Sequence, residues 1–198
     1  MDKYGTGQDP YCYPGTDVLR NKLNIDEAAT LEEAERDLSM INAASIELEP
    51  PPFDLAYLQR LHSRLFDDLY DWAGELRSID IAKGDTRFCH VPFIAPESEK
   101  LFRKLAAQTY FTQLDKSALV ATCAELYGDL NAIHPFREGN GRTQRLFFEH
   151  LIINCGYRIS WAGVERATWI KTNIAAMACE YEALAAIFES CIGPPLKD

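Results

Sequence analysis

Twelve consecutive residues, His134-Pro135-Phe136-Arg137-Glu138-Gly139-Asn140-Gly141-Arg142-Thr143-Gln144-Arg145, carry a denser set of reactive groups than any other stretch of this chain. Pro135 disfavours helical geometry at the residue before it, so an incoming helix should end at His134 and leave the imidazole beside a loop. Gly139 and Gly141 permit a tight turn and close approach of another group, and a helix from about Arg142 onward points its free N–H groups into that loop. Free amides at the positive end of a helix dipole suit phosphate oxygens. Arg142 and Arg145, three apart, share one face of the first turns and can add bidentate contacts to a polyphosphate. Glu138 would repel phosphate unless a cation lay between them, which makes it a Mg²⁺ ligand. His134 titrates nearest neutrality and can take a proton from an attacking hydroxyl, as nucleotidyl or phosphoryl transfer requires. Phe136 anchors the loop in the core. A plain helix–loop–helix turn accounts for the glycines and proline, but not for a histidine, a glutamate and two arginines converging on one turn.

Composition removes other chemistries. At 198 residues and 47% hydrophobic content the chain can build one well-buried core, and a single domain over 1–198 is expected. A net charge of −10 and a pI near 4.9 oppose diffuse attraction to nucleic acid, so no direct DNA or RNA partner is expected. Arg142 and Arg145 remain as a local exception suited to a nucleotide. Neither an H-E-x-x-H zinc motif nor a G-x-x-x-x-G-K-[ST] loop is present. No apolar window is long enough for a membrane span and Met1-Asp2-Lys3-Tyr4-Gly5 has no signal pattern, so the expectation is a cytoplasmic protein without membrane contact. Six scattered cysteines without a C-x-x-C pair read as small buried hydrophobes.

The elements that must position the motif read as all-α. Residues 1–15, rich in Gly, Pro and Tyr, form an extended arm. Thr30-Leu31-Glu32-Glu33 is a capping-box pattern that opens a helix over about Thr30–Ala44. Pro50-Pro51-Pro52 ends it, and Asp54 caps a periodic run from Leu55 through Leu69 and Trp72, with His62 beside its apolar face as a surface or hydrogen-bonded histidine. Residues 79–94 alternate as Ile79-Asp80-Ile81-Ala82, turn at Lys83-Gly84-Asp85-Thr86 and alternate again over Phe88–Phe93, giving the only β-hairpin. Its edge can receive an extended peptide, or the segment is a mere connector; pattern alone does not choose. Pro96 opens the next helix, Asp115 caps the one that leads into His134, and the run through Leu146–Ile153 is apolar nearly all round and central, ending at Gly156. Helices around 163–172 and 180–191 precede a Gly193-Pro194-Pro195 stop.

The motif resembles, without departure, the H-x-F-x-[DE]-G-N-G-R-x-x-R signature of Fic-domain proteins, and Asp9-Pro10-Tyr11, Asp71-Trp72-Ala73-Gly74 and Gly84-Asp85-Thr86 to Cys89-His90 extend the resemblance to standalone bacterial Fic toxins over most of the chain. The resemblance implies a Fic fold, a helical bundle with one hairpin flap, that transfers AMP from ATP to a hydroxyl side chain of another protein. His134 would deprotonate the target and Glu138 would hold Mg²⁺ on the nucleotide. Gly139, Asn140 and Gly141 would cradle phosphates, and Arg142 and Arg145 would bind them further out. Ile79, Asp80, Ile81, Gly84, Asp85 and Thr86 would belong to the flap that aligns a target strand. Related proteins transfer UMP, phosphocholine or phosphate, and a non-enzymatic nucleotide-binding module is the alternative outside enzymes. The family's inhibitory [S/T]-x-x-x-E-[G/N] pattern is approached only by Ser45-Ile46-Glu47-Leu48-Glu49-Pro50, where proline stands in the last position. The resemblance therefore points to a toxin inhibited in trans by a small antitoxin whose inhibitory helix acts on Arg145, with ATPase subunits of type II DNA topoisomerases as the target.

Overall fold

The computed structural model describes residues 2–3 and 8–196; Tyr4, Gly5 and Gly7 of the expected arm lie outside them. The described arm is tied to the body by its own side chains: Asp9 Oδ2 accepts from Arg137 Nη2 at 2.8 Å and Nε at 3.0 Å, and Tyr11 packs edge-on against Trp72.

Helix α1 (Ala28–Ser45) starts two residues before the expected point, and Thr30 lies inside it. The cap is Glu27, whose carboxylate accepts from the amides of Ala29 and Thr30 at 3.0 and 2.6 Å and from the Thr30 hydroxyl at 2.6 Å. An ionised carboxylate with two oxygens satisfies more orphan donors than one hydroxyl, so it takes over the cap. Helix α2 (Leu55–Phe66) is capped as expected, Asp54 Oδ1 accepting from Tyr57 N at 2.7 Å. Its apolar face, Leu58, Leu61, Leu65 and Phe66, is fully buried, while Leu69 and Trp72 lie in the turns that follow.

The flap hairpin is β2 (Ile81–Lys83) and β3 (Thr86–Arg87), turning at Gly84 with φ +56°. Two expectations about it change. The second arm does not continue to Phe93, because helix α3 (Val91–Ala107) begins there: Asp80 Oδ1 accepts from the Val91 amide at 2.9 Å and Oδ2 lies 2.9 Å from His90 Nδ1. A cap supplied from eleven residues upstream of the amide it satisfies leaves no local signature. Nor is the outer edge of β2 bare, since β1 (Asp2–Lys3) pairs on it antiparallel, Asp2 opposite Ala82 and Lys3 opposite Ile81.

After a short 3₁₀ turn at Thr109–Phe111, helix α4 (Lys116–Ile133) is capped by Asp115 and feeds the motif, and helix α5 (Asn140–Asn154) leaves it. Phe147, Phe148, Leu151 and Ile152 of α5 are wholly buried between α2 and α4, which is why that run carries so little polar sequence. Helices α6 (Arg166–Ala176) and α7 (Glu182–Cys191) close one side. A second ladder was not foreseen: β4 (Tyr157–Ile159) pairs antiparallel with β5 (Ile192–Pro195), so Gly193-Pro194-Pro195 forms an edge strand, where a missing proline donor is tolerated. All six cysteines are free. Among the described residues no helix is long and apolar enough to cross a membrane.

Candidate active site

His134 is the C-cap of α4 and stands in the left-handed region, φ +50°, which few non-glycine residues adopt, Asn, Asp and His most often among them. The strain is held by Arg77, a buried arginine that the sequence reading did not single out. Its Nε donates to the His134 carbonyl at 2.9 Å, Nη1 to Ile79 O at 2.7 Å, and Nη2 to the carbonyls of Ile133 and Cys89; its amide binds Pro135 O at 2.9 Å. One guanidinium thereby ties the end of α4, the start of the motif and the root of the flap.

The imidazole of His134 stacks on Phe88, ring centroids 3.8 Å apart. Its Nδ1 faces the Asn131 carbonyl at 3.1 Å, and a carbonyl can only accept, so Nδ1 carries the proton. Nε2 is then a bare lone pair, buried and without a hydrogen-bond partner among the described residues. Burial, partly opposed by the Asn131 bond, lowers the pKa to about 4, so the ring is a neutral acceptor at pH 7.

The loop beyond is braced from below. Phe136 stacks on the buried His62 at 3.9 Å. His62 accepts from Gly74 N through Nδ1 at 2.8 Å and donates through Nε2 to the Glu138 carbonyl at 3.0 Å; burial lowers its pKa to about 4, so it is a neutral strut. Of its two expected states, the hydrogen-bonded one is found. Asn140 spends its side chain on the loop, Oδ1 accepting from Phe136 N at 2.9 Å and Nδ2 donating to Phe136 O at 2.8 Å, so what it offers an anion is main chain. Gly139 caps α5 at φ +76°, and a Cβ there would meet the Phe66 ring at 2.4 Å.

The Glu138 carboxylate accepts from the Gly139 amide at 2.9 Å and lies 3.9 Å from Arg142 Nη2. Burial alone would raise its pKa, but the Gly139 amide and the nearby Arg142 hold it below the ordinary carboxylate range. Among the described residues no cluster of three or more His, Cys, Asp or Glu converges. One ionised carboxylate beside an anion cradle suits a hard divalent cation that takes its remaining ligands from phosphate and water.

The two arginines differ. Arg142 lies over the Phe66 ring and pairs with Glu35 of α1, whereas Arg145 forms no ion pair within 4 Å among the described residues and stands 5.8 Å from the Trp169 ring centre. His134, Glu138, the Gly139–Gly141 segment, Arg142 and Arg145 line one cavity of about 520 Å³, flanked by the flap through Lys83, Thr86 and Phe88 and by α6 through Trp169, Ile170 and Asn173.

Comparison with known proteins places this arrangement. Residues 52–152 match the Fic/DOC family. The chain belongs to the Fic/DOC family. It is 42% identical over 191 residues to "Probable protein adenylyltransferase Fic" of Escherichia coli (strain K12), covering 96% of each chain. Its fold matches the crystal structure of BepC protein with bound AMPPNP from Bartonella tribocorum, with TM-score 0.87 and 28% identity over 94% of this chain and 97% of that one. It also matches an N-terminal Fic domain with bound ADP from Bartonella quintana, with TM-score 0.86 and 31% identity over 94% and 95%.

Two features of this Fic site were not readable in advance. Asn173, which lines the cavity, donates through Nδ2 to Trp169 O at 2.7 Å, which fixes its flip and leaves Oδ1 buried and unpartnered. An acceptor held there is suited to an exocyclic amine. Gly141 differs from Gly139: a Cβ built on it clashes with nothing and meets only Arg145 Nη1 at 3.6 Å. Gly141→Ala should therefore fold with a melting temperature no lower than the parent's yet lose about tenfold in nucleotide affinity, because the methyl occupies the cradle. Nucleotide titration by calorimetry checks it, and unchanged affinity would remove Gly141 from the cradle.

Proposed function

We propose that this Fic protein is a protein adenylyltransferase: a target hydroxyl oxygen attacks the α-phosphorus of ATP, the bond to the β-phosphate breaks, pyrophosphate leaves and the hydroxyl proton passes to His134 Nε2. The observation that carries the reading is the unpartnered, proton-free Nε2 of His134, a residue that lines the cavity, since a module that only binds nucleotide has no use for a lone pair there. The main-chain amides of Asn140 and Gly141 and the Arg145 guanidinium would receive the phosphates, the Gly139 amide being taken by Glu138, and Asn173 Oδ1 suits the adenine amine. A Mg²⁺ ion held by Glu138 would neutralise charge developing on the phosphates. Protein labelled from α-³²P-ATP and not from γ-³²P-ATP is the expected result; the reverse would establish phosphate transfer instead.

Target docking falls to the flap. Lys83 and Thr86 line the cavity, while Asp80 is committed to the start of α3, so its part is to anchor the hairpin. A target strand adding to β2 has to displace Asp2–Lys3 from that edge. Deleting residues 1–3 should raise target labelling about three- to tenfold, as expected when a competing bound state is removed. Equal labelling by both forms would show that the target docks elsewhere.

We read the protein as the toxin of a toxin–antitoxin pair, restrained by a separate antitoxin helix whose glutamate engages Arg145, with ATPase subunits of type II DNA topoisomerases as its targets. Glu49, in the chain's nearest approach to an inhibitory pattern, is taken by Arg60 at 3.2 Å and Arg64 at 2.9 Å, and Arg145 forms no ion pair within 4 Å among the described residues. Highly purified, partner-free protein should accordingly transfer AMP. Protein that binds ATP yet is silent in that state would refute inhibition in trans.

A further inference from the structure

Two of the three buried residues of α1 are polar, where a helix face packed on a core is ordinarily apolar. Its buried residues are Leu31, Glu35 and Ser39, one turn apart on a single stripe, and the last two meet the motif helix. Glu35 Oε1 accepts from Arg142 Nη2, and Glu35 Oε2 accepts from the Tyr70 hydroxyl. Arg142 Nη1 also donates to the Glu35 carbonyl at 3.3 Å and to Ser39 Oγ at 3.2 Å. Both terminal nitrogens of Arg142 are thus held by one turn of α1, and the guanidinium is kept over Phe66, its Cζ 4.8 Å from the ring centre. Phe66 is also the ring that occupies the space below Gly139.

A glutamate only 9% exposed is stable as a charge only with firm partners, and this one has two. The same carboxylate competes for Arg142 with Glu138, which lies four residues before it and 3.9 Å from its Nη2. Without Glu35, the nearest carboxylate for the freed guanidinium is Glu138, and the collapse of that pair would cover the carboxylate and tilt the cradle.

We propose that Glu35, supported by Ser39 and Tyr70, is a positioning residue that latches Arg142 to α1 and so holds the phosphate-binding end of α5, with Glu138 uncovered, in its working arrangement. The inference rests on the ATP-binding reading of the site for its functional consequence, but the latch itself is open to a test without nucleotide. In ¹⁵N-arginine NMR of the ligand-free protein, restrained Arg142 Nη signals should be resolved in the parent and collapse in Glu35→Gln. Gln keeps the side-chain volume and removes the charge that makes such bonds strong. Persistence of the restrained signals in Glu35→Gln overturns the latch, whatever the protein binds.

The second arm measures ATP affinity by calorimetry in a His134→Asn background, which tolerates the left-handed backbone and where no transfer intervenes. Glu35→Gln should weaken ATP binding about tenfold, and in an Arg142→Gln background the same change should alter it less than twofold, because the group being positioned is gone. An equal loss in both backgrounds, or unchanged or tighter binding in the first, overturns the positioning role. If the His134→Asn parent fails to bind ATP while Glu35→Gln frees Arg142, the nucleotide reading fails and the positioning proposal falls with it, leaving a structural ion pair. Serine at the third point is checked separately: Ser39→Ala should reproduce a smaller part of both effects.

Discussion

Replacing His134 by Ala should lower the rate of AMP transfer by about 10²–10⁴-fold, the usual contribution of one positioned general base, with ATP still bound. Ala is strained at φ +50°, so His134→Asn, which tolerates the left-handed region, provides the control that keeps the loop closed. The two variants should be equally inactive; activity retained in the Asn variant at more than about a tenth of the parent rate would exclude Nε2 as the base. The pH dependence carries the same assignment. Burial puts the His134 pKa near 4, so the fraction of basic Nε2 should be flat from neutral pH to about pH 5 and fall only toward 4, where an exposed histidine would already lose half its base form near 6.5. The fold follows the same shift. The unfolded chain binds the proton first, so stability present above about pH 6.5 is lost as pH falls toward 4, and His62 adds a second such loss. Rates are therefore read alongside circular dichroism, and a midpoint near 6.5 on folded protein would contradict the buried base.

Removing the Asp9 carboxylate should cost about 3–5 kcal/mol of stability. Arg137 is 4% exposed and its ion pair with Asp9 is the bond between the arm and the motif loop, so Asp9→Ala leaves a buried guanidinium with no counter-charge. Asp9 Oδ1 also accepts from Tyr11 N at 2.8 Å, so the arm's own turn loosens. For a chain of this size the melting temperature should fall by about 6–20 °C. The double variant Asp9→Ala with Arg137→Leu should recover most of the loss, since replacing both members of a buried pair by apolar atoms is tolerated far better than removing one. A drop of under about 1 kcal/mol in the single variant would mean that water reaches the guanidinium. Arg137 sits next to Glu138, so the same variant should also weaken nucleotide binding, which makes the arm part of the working site.

What the sequence exposed and what it hid divide along a physical line. Asp54 and Asp115 were legible as caps because a cap is bonded to an amide three residues on, and Leu58, Leu61 and Leu65 were legible as a buried face because helical periodicity is local. The cap of α3 was not, because its carboxylate comes from Asp80 across the flap. The pairing of β4 with β5 joins segments more than thirty residues apart, and β1 reaches β2 across most of the arm and the first two helices, so neither leaves a hairpin signal. Thr30 misled for the opposite reason: its local pattern was sound, but Glu27 supplied a stronger acceptor one turn earlier.

The reactive stretch was determined by the sequence itself. Pro135 ends a helix, the glycines free the turn, and the types and order of His134, Glu138, Arg142 and Arg145 name a phosphate chemistry, all through covalent geometry and neighbours within a few residues. Only the tertiary structure decided how those groups differ. It made His134 Nδ1 the proton carrier, closed the Asn140 side chain on its own loop, assigned Arg142 to Glu35 and left Arg145 to the cavity. The Arg142 outcome depends on Glu35, which a distant helix contributes, whereas the His134 and Asn140 bonds close within four residues, on a loop whose backbone is held by His62 and Arg77 from elsewhere in the chain; a side chain's charge state and remaining hydrogen-bonding capacity are set by what is packed against it.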